Sequence, residues 1–111
     1  MRIEIHPKKI EVDESLRTHI ERRLGTAIGR FDEFIRCVTV HLANGNGARG
    51  APGKQCRICV SLKSSAEVEI EDSDVDLYSV TAQATSRLGL AVFSELWRLR
   101  ESRRSYPGSD D

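Results

Sequence analysis

Apolar and polar residues alternate from the start of the chain, Ile3 and Ile5 against Arg2, Glu4 and His6, the period of two that marks a half-buried strand. Pro7 removes a ladder donor and is expected to end that strand at residue 6. The period then changes. Leu16, Ile20, Leu24, Ala27, Ile28 and Phe31 fall within one stripe about 120° wide when wound at 100° per residue. With Asp13 at the N-cap position and Glu14 in the first turn, they predict a helix over 14–31.

From Phe34 to Leu42 the period is again two, with Val38, Val40 and Leu42 on one face and Cys37, Thr39 and His41 on the other. Residues 43–54 hold four glycines, two asparagines and a proline, and are expected to form a long, mobile hairpin loop. Cys56, Ile58, Val60 and Leu62 then alternate with Arg57, Cys59, Ser61 and Lys63, and Ala66, Val68 and Ile70 with Glu67, Glu69 and Glu71. These predict strands three and four, joined by a turn at Ser64-Ser65. Ser73 and Asp76 have capping-box spacing. Leu77, Val80, Ala84, Leu88, Ala91 and Leu99 then mark the buried stripe of a second helix over 75–101.

The order is β-α-β-β-β-α, and every strand has one apolar face, so both helices must cover the same side of a four-stranded sheet. The expected fold class is α+β, a two-layer sandwich with the other sheet face left to water. Residues 1–102 read as one domain and 103–111 as a short disordered tail.

At 111 residues the chain has room for one modest core. No apolar run approaches the roughly 20 residues of a spanning helix, and the first residues lack the apolar stretch of a secretory signal. The expectation is therefore no membrane partner and a cytoplasmic location. Three cysteines, without framework spacing, fit reduced thiols there. Lys plus Arg and Asp plus Glu each number 17, which excludes a strong overall field but hides a segregation. Residues 66–86 carry six acidic groups and no basic one, whereas residues 1–65 are net basic by five. The acidic row Glu67, Glu69, Glu71 should repel nucleic acid from the open sheet face.

The spacing Cys56-x-x-Cys59 suggests zinc or thiol chemistry in a turn, but on a strand its two members point to opposite faces. The expectation is no metal and no cofactor. Three histidines are present, yet there is no nucleophile elbow, no His-Glu-x-x-His and no phosphate loop leading into a helix. No small-molecule substrate is implied, and no enzyme is expected.

Two features of the helices remain. His19, Arg23 and Arg30, with Arg22 beside them, form a basic flank along helix one, suited either to water or to phosphates. Arg87, Arg98, Arg100, Arg103 and Arg104 extend the basic character along helix two. Leu90, Phe93 and Trp97 form a second apolar stripe on helix two that monomer folding does not require. Either the helix tilts to bury it or it is a partner surface.

The element order, with Asp13-Glu14-Ser15-Leu16-Arg17 opening helix one, Arg30-Phe31-Asp32 closing it and Asp76-Leu77-Tyr78 opening helix two, resembles the ribosome hibernation-promoting factor and ribosome-associated inhibitor A family. The resemblance covers about residues 1–101. It implies a fold related to double-stranded RNA-binding domains, placed in the decoding region of the small ribosomal subunit, where it silences translation under stress. It also implies that basic helix residues contact rRNA phosphates. Arg17 and Arg23 match such positions of helix one and Arg87 one of helix two; with Arg22 and Arg30 of the basic flank they are the candidate rRNA-binding set. Thr26, Leu90 and Ser94 stand where that family usually has Lys or Arg, and the short tail is not expected to supply the extra domain by which long members pair ribosomes. The alternative is a protein-interaction module on the same scaffold, such as a homodimer through helix two at Leu90, Phe93 and Trp97.

Overall fold

The computed structural model describes residues 1–46 and 52–105. Its elements are β1 (Arg2–Lys8), α1 (Glu14–Ile28), a 3-10 helix (Gly29–Phe34), β2 (Ile35–Asn46), β3 (Pro52–Leu62), β4 (Glu67–Asp74) and α2 (Leu77–Ser105). The strands lie side by side in chain order. β1 pairs parallel with β2, across the α1 crossover, and the other two pairings are antiparallel. The α+β architecture expected from the sequence is therefore present, with both helices on one face.

Asp13 caps α1, its Oδ1 accepting the Leu16 N–H at 2.8 Å, so a donor without an intrahelical partner is satisfied. Leu16, Ile20, Leu24 and Ile28 of α1 are buried against Val38, Val40 and Leu42 of β2, Ile58 and Val60 of β3, and Val80, Ala84, Leu88 and Val92 of α2. Two threonines share that interior. Thr81 and Thr85 donate their hydroxyls to carbonyls one turn earlier, Leu77 O at 2.9 Å and Thr81 O at 2.7 Å, which removes the penalty of burying them.

Several boundaries differ from the expectation. β1 continues through Pro7 to Lys8, because β1 is an edge strand and the missing proline N–H breaks no essential ladder bond. Helix one becomes 3-10 after Ile28, and Phe31 is carried by that tighter segment. The expected loop 43–54 is mostly sheet: β2 runs to Asn46 and β3 starts at Pro52, with Gly45 opposite Gly53. These two glycines have φ of 130° and 135°, a backbone open to glycine and strained for other residues. The rest of that loop, 47–51, lies outside the described residues, as does 106–111 of the tail. α2 is capped by Asp76 rather than Ser73, with Oδ2 accepting the Ser79 N–H at 2.8 Å. It runs on to Ser105, past the expected end at 101. Val92 is fully buried in α2 while Ala91, assigned to the stripe by periodicity, is only half-buried.

Cys56 lies in the core and Cys59 on the open face, as strand geometry requires. Burial, with Asp72 adding to it, pushes the Cys56 thiol up to about 12. Ellman's reagent at pH 8 is therefore expected to leave Cys56 unmodified in the folded protein and to reach it only in denaturant, since the thiolate is the reactive species. Rapid titration of all three cysteines without denaturant would contradict this packing.

Candidate nucleic-acid interface

The two helices lie against each other along a seam built from α1 positions 19, 23, 26 and 27, position 30 of the 3-10 segment that follows, and α2 positions 78, 82, 86, 89 and 93. Its first end is held by Tyr78. The Tyr78 hydroxyl donates to Ser15 Oγ at 3.2 Å, its ring meets His19 edge-on at 4.8 Å, and His19 Nε2 lies 3.3 Å from the Tyr78 carbonyl. The tyrosine of the Asp76-Leu77-Tyr78 sequence thus ties the start of α2 to the start of α1. Arg22 lines the shallow hollow of about 540 Å³ beside this contact.

Farther along, Arg23 reaches across the seam and donates from Nη2 to the Ala82 carbonyl and to Ser86 Oγ, both at 3.3 Å. Neutral acceptors orient the guanidinium without cancelling its charge. Arg30 follows one face of the 3-10 segment, its Cζ 4.8 Å from the centre of the Phe31 ring. Arg23 and Arg30 line one cleft of about 610 Å³ with Thr26, Ser86, Leu90 and Phe93. None of Arg22, Arg23 and Arg30 has an ion-pair partner among the described residues. Arg23 and Arg30 therefore bring two uncompensated positive charges to one cleft, and Arg22 brings a third to the neighbouring hollow.

The other two members of the candidate set lie elsewhere. Arg17 is about 120° round α1 from Arg23 at 100° per residue, and pairs with Glu21 at 3.8 Å. Arg87 leaves the far flank of α2 and binds β4, donating from Nη1 to Asp72 Oδ2 at 3.2 Å and to the Glu71 carbonyl at 3.1 Å. The fold separates the five arginines: Arg23 and Arg30 share the seam cleft, Arg22 lines the hollow next to it, and Arg17 and Arg87 lie apart. An exposed ion pair such as Arg87–Asp72 contributes little to stability, so its arginine can be drawn to another anion at small cost.

Leu90, Phe93 and Trp97 are 69%, 45% and 48% exposed: α2 does not tilt to bury them. Phe93 packs between Phe31 and Trp97, with ring centres 6.3 Å and 6.4 Å apart. Beyond Trp97 a groove of about 680 Å³ continues between Phe34, Lys63, Leu96, Leu99 and Arg100. Phe34 and Lys63 escaped the sequence reading as site residues because strand alternation tells which face a residue takes, not which distant residue it meets. The Lys63 N–H bonds the Phe34 carbonyl at 2.9 Å, a contact between residues far apart in sequence that no local pattern signals.

The open sheet face carries a cross-strand row, His6, His41, Arg57 and Glu71, set by the register of all four strands. Burial, together with the positive charge of Arg57 and His6, holds His41 below the ordinary histidine value. The acidic residues Glu67, Glu69 and Glu71 occupy the β4 edge of this face. No group of three or more His, Cys, Asp or Glu is placed to hold a metal ion among the described residues. None of the described helices is long and apolar enough to cross a membrane.

Comparison with known proteins bears on the family and the fold. A family described as Sigma 54 modulation protein / S30EA ribosomal protein matches residues 3–92. The chloroplastic ribosome-binding factor PSRP1 of Spinacia oleracea is 24% identical over 74 residues, covering 65% of this chain and 24% of that protein. The chain thus spans about a quarter of the length of that relative. Among solved structures, the N-terminal domain of Protein Y from Thermus thermophilus is 25% identical with a TM-score of 0.67, over 83% of this chain and 96% of that one. A ribosomal subunit interface protein from Coxiella burnetii has a TM-score of 0.71 at 15% identity, covering 86% and 99%, and speaks for the fold alone.

Proposed function

Because the chain belongs to the Sigma 54 modulation protein / S30EA ribosomal protein family, the resemblance to hibernation factors drawn from its sequence holds, and we propose that it is a ribosome-associated factor without catalytic activity. It binds the small subunit in the decoding region, occupies the path of mRNA and tRNA, and silences translation in the cytoplasm under stress. The family's own description and the name of one relative, a ribosome-binding factor, support association with the ribosome. The observation that carries the rRNA reading is the seam between α1 and α2, where Arg23 and Arg30 present unpaired charge in one cleft and Arg22 lines the neighbouring hollow. Such a surface reads the shape and backbone of folded RNA with little regard to base sequence. Arg17 and Arg87 add contacts at its margins, once released from Glu21 and Asp72.

The test is sedimentation of the purified protein with small subunits across a salt series. Three phosphate contacts release counterions with a log–log slope of about −2.1 to −2.7, so affinity is expected to fall about twentyfold to fortyfold between 50 and 200 mM salt. Retention that does not change with salt would refute the phosphate contacts.

The exposed row Leu90, Phe93, Trp97 favours one second reading, a self-associating module that has lost rRNA affinity. On that reading the free protein elutes as a dimer, Trp97→Glu returns it to a monomer, and neither form pellets with ribosomes.

A further inference from the structure

The apolar row on α2 is part of a longer arrangement that the folded monomer does not need. Three rings follow one another along the 3-10 segment and α2: Phe31, then Phe93 at 6.3 Å, then Trp97 at 6.4 Å and within 20° of parallel to Phe93. A guanidinium lies over each end of the ladder, Arg30 at 4.8 Å from Phe31 and Arg100 at 5.6 Å from Trp97. Arg23 lines the cleft at one end and Lys63 the groove at the other. Glu33 also lines the groove, and Glu95 is bound by Arg98 at 2.6 Å.

We infer that this ladder is a stacking platform for unpaired nucleobases of single-stranded RNA. Aromatic faces accept any base, and arginines beside them hold the phosphates that run alongside. The inference rests on the RNA reading of the chain and adds to it a site and a mode of contact: the seam takes backbone phosphates, while the ladder takes bases.

Charge and area argue against a second copy as the occupant. A two-fold contact centred on the row brings Arg30 and Arg100 of each chain toward their counterparts. Half-exposed, three large side chains offer on the order of 300 Å², well under the roughly 800 Å² per partner of a stable interface.

Trp97 is the only tryptophan, so its fluorescence reports on the ladder directly. The protein is titrated with a dodecamer of uridine ribonucleotides, whose bases are unstacked, with an RNA duplex of equal length and with inorganic polyphosphate. Saturable quenching by the single strand, and far weaker quenching by the other two, is expected. Measured by anisotropy of a labelled dodecamer, Phe93→Leu and Trp97→Leu should each weaken binding about tenfold or more, with Trp97→Tyr restoring most of it and all three melting within a few degrees of the parent. Equal affinity of parent and Trp97→Leu, or equal quenching by polyphosphate, would overturn the inference. So would a dimer whose Trp97 emission changes with protein concentration but not with the dodecamer, which assigns the row to a second copy. Pelleting of the parent with ribosomes is scored separately. If pelleting persists while the dodecamer fails to bind, the ladder is wrong and the ribosome reading stands; if the dodecamer binds while pelleting fails, the reverse holds.

Discussion

Charge reversal at two seam positions, Arg23→Glu with Arg30→Glu, is expected to reduce co-sedimentation with the small subunit more than a hundredfold at low salt. Each guanidinium that bonds a phosphate contributes about 1.5–3 kcal/mol through a charge-assisted hydrogen bond, and every 1.4 kcal/mol is tenfold in affinity. Two such losses alone reach the expected factor, and the introduced carboxylates repel the backbone as well. The salt slope should shrink by about 1.5 to 2 units for the two released contacts.

Folding is not expected to suffer. Arg23 donates only to Ala82 O and Ser86 Oγ, both at 3.3 Å, and Arg30 rests on the outside of Phe31. A thermal melt within a few degrees of the parent, beside lost pelleting, identifies the seam as the contact surface. Parental pelleting by the double variant would remove it. Arg87→Glu, which sets a carboxylate beside Asp72, is the informative comparison: its smaller effect separates the far flank of α2 from the seam.

The second large effect concerns the seam's width. Gly89 faces Ala27, and a Cβ at this position meets the Ala27 carbonyl oxygen at 3.0 Å and the Ala27 Cβ at 3.6 Å. For Gly89→Ala two terms oppose each other. Replacing glycine in a helix gains about 1 kcal/mol, while the carbonyl must give by a few tenths of an ångström, so the expected change is close to zero. Gly89→Leu has no such balance. Its side chain forces α1 and α2 apart, at about 1–3 kcal/mol for an overpacked site, or roughly 4–8 °C of melting temperature per kcal/mol in a domain of this size. Because Arg23 spans the same seam, the Leu variant should also lose the Arg23–Ser86 contact and pellet less at a temperature where it remains folded. A Leu variant as stable as the parent would show that the seam has slack.

Much of this architecture is legible without coordinates, for a physical reason that particular residues make plain. Leu16, Ile20, Leu24 and Ile28 recur at the helical period, and Val38, Val40 and Leu42 at the strand period, and all seven are buried. A stretch of chain that must hide one face declares its period whatever it packs against. The opposite placements of Cys56 and Cys59 followed from the same rule. Where the expectation failed, local composition pointed one way and pairing the other. Residues 43–46 and 52–54 look like loop because they are rich in glycine and asparagine, yet the β2–β3 ladder continues through them. Pro7 looks like a stop, but at a sheet edge it costs no essential bond.

The candidate site divides along the same line. The sequence by itself determined the element order, the faces each element buries, the basic flank of helix one and the surplus apolar row of helix two. Only the tertiary structure decided that Arg23 and Arg30 share a cleft with Phe93, that Arg17 and Arg87 point away from it, and that Lys63 and Phe34 join the groove beyond Trp97. Periodicity is a property of contiguous residues, whereas the groups that meet at the seam are some sixty positions apart, as Arg23 and Ser86 are. Their meeting depends on how two helices pack over one sheet, and above all on how closely Gly89 lets them approach.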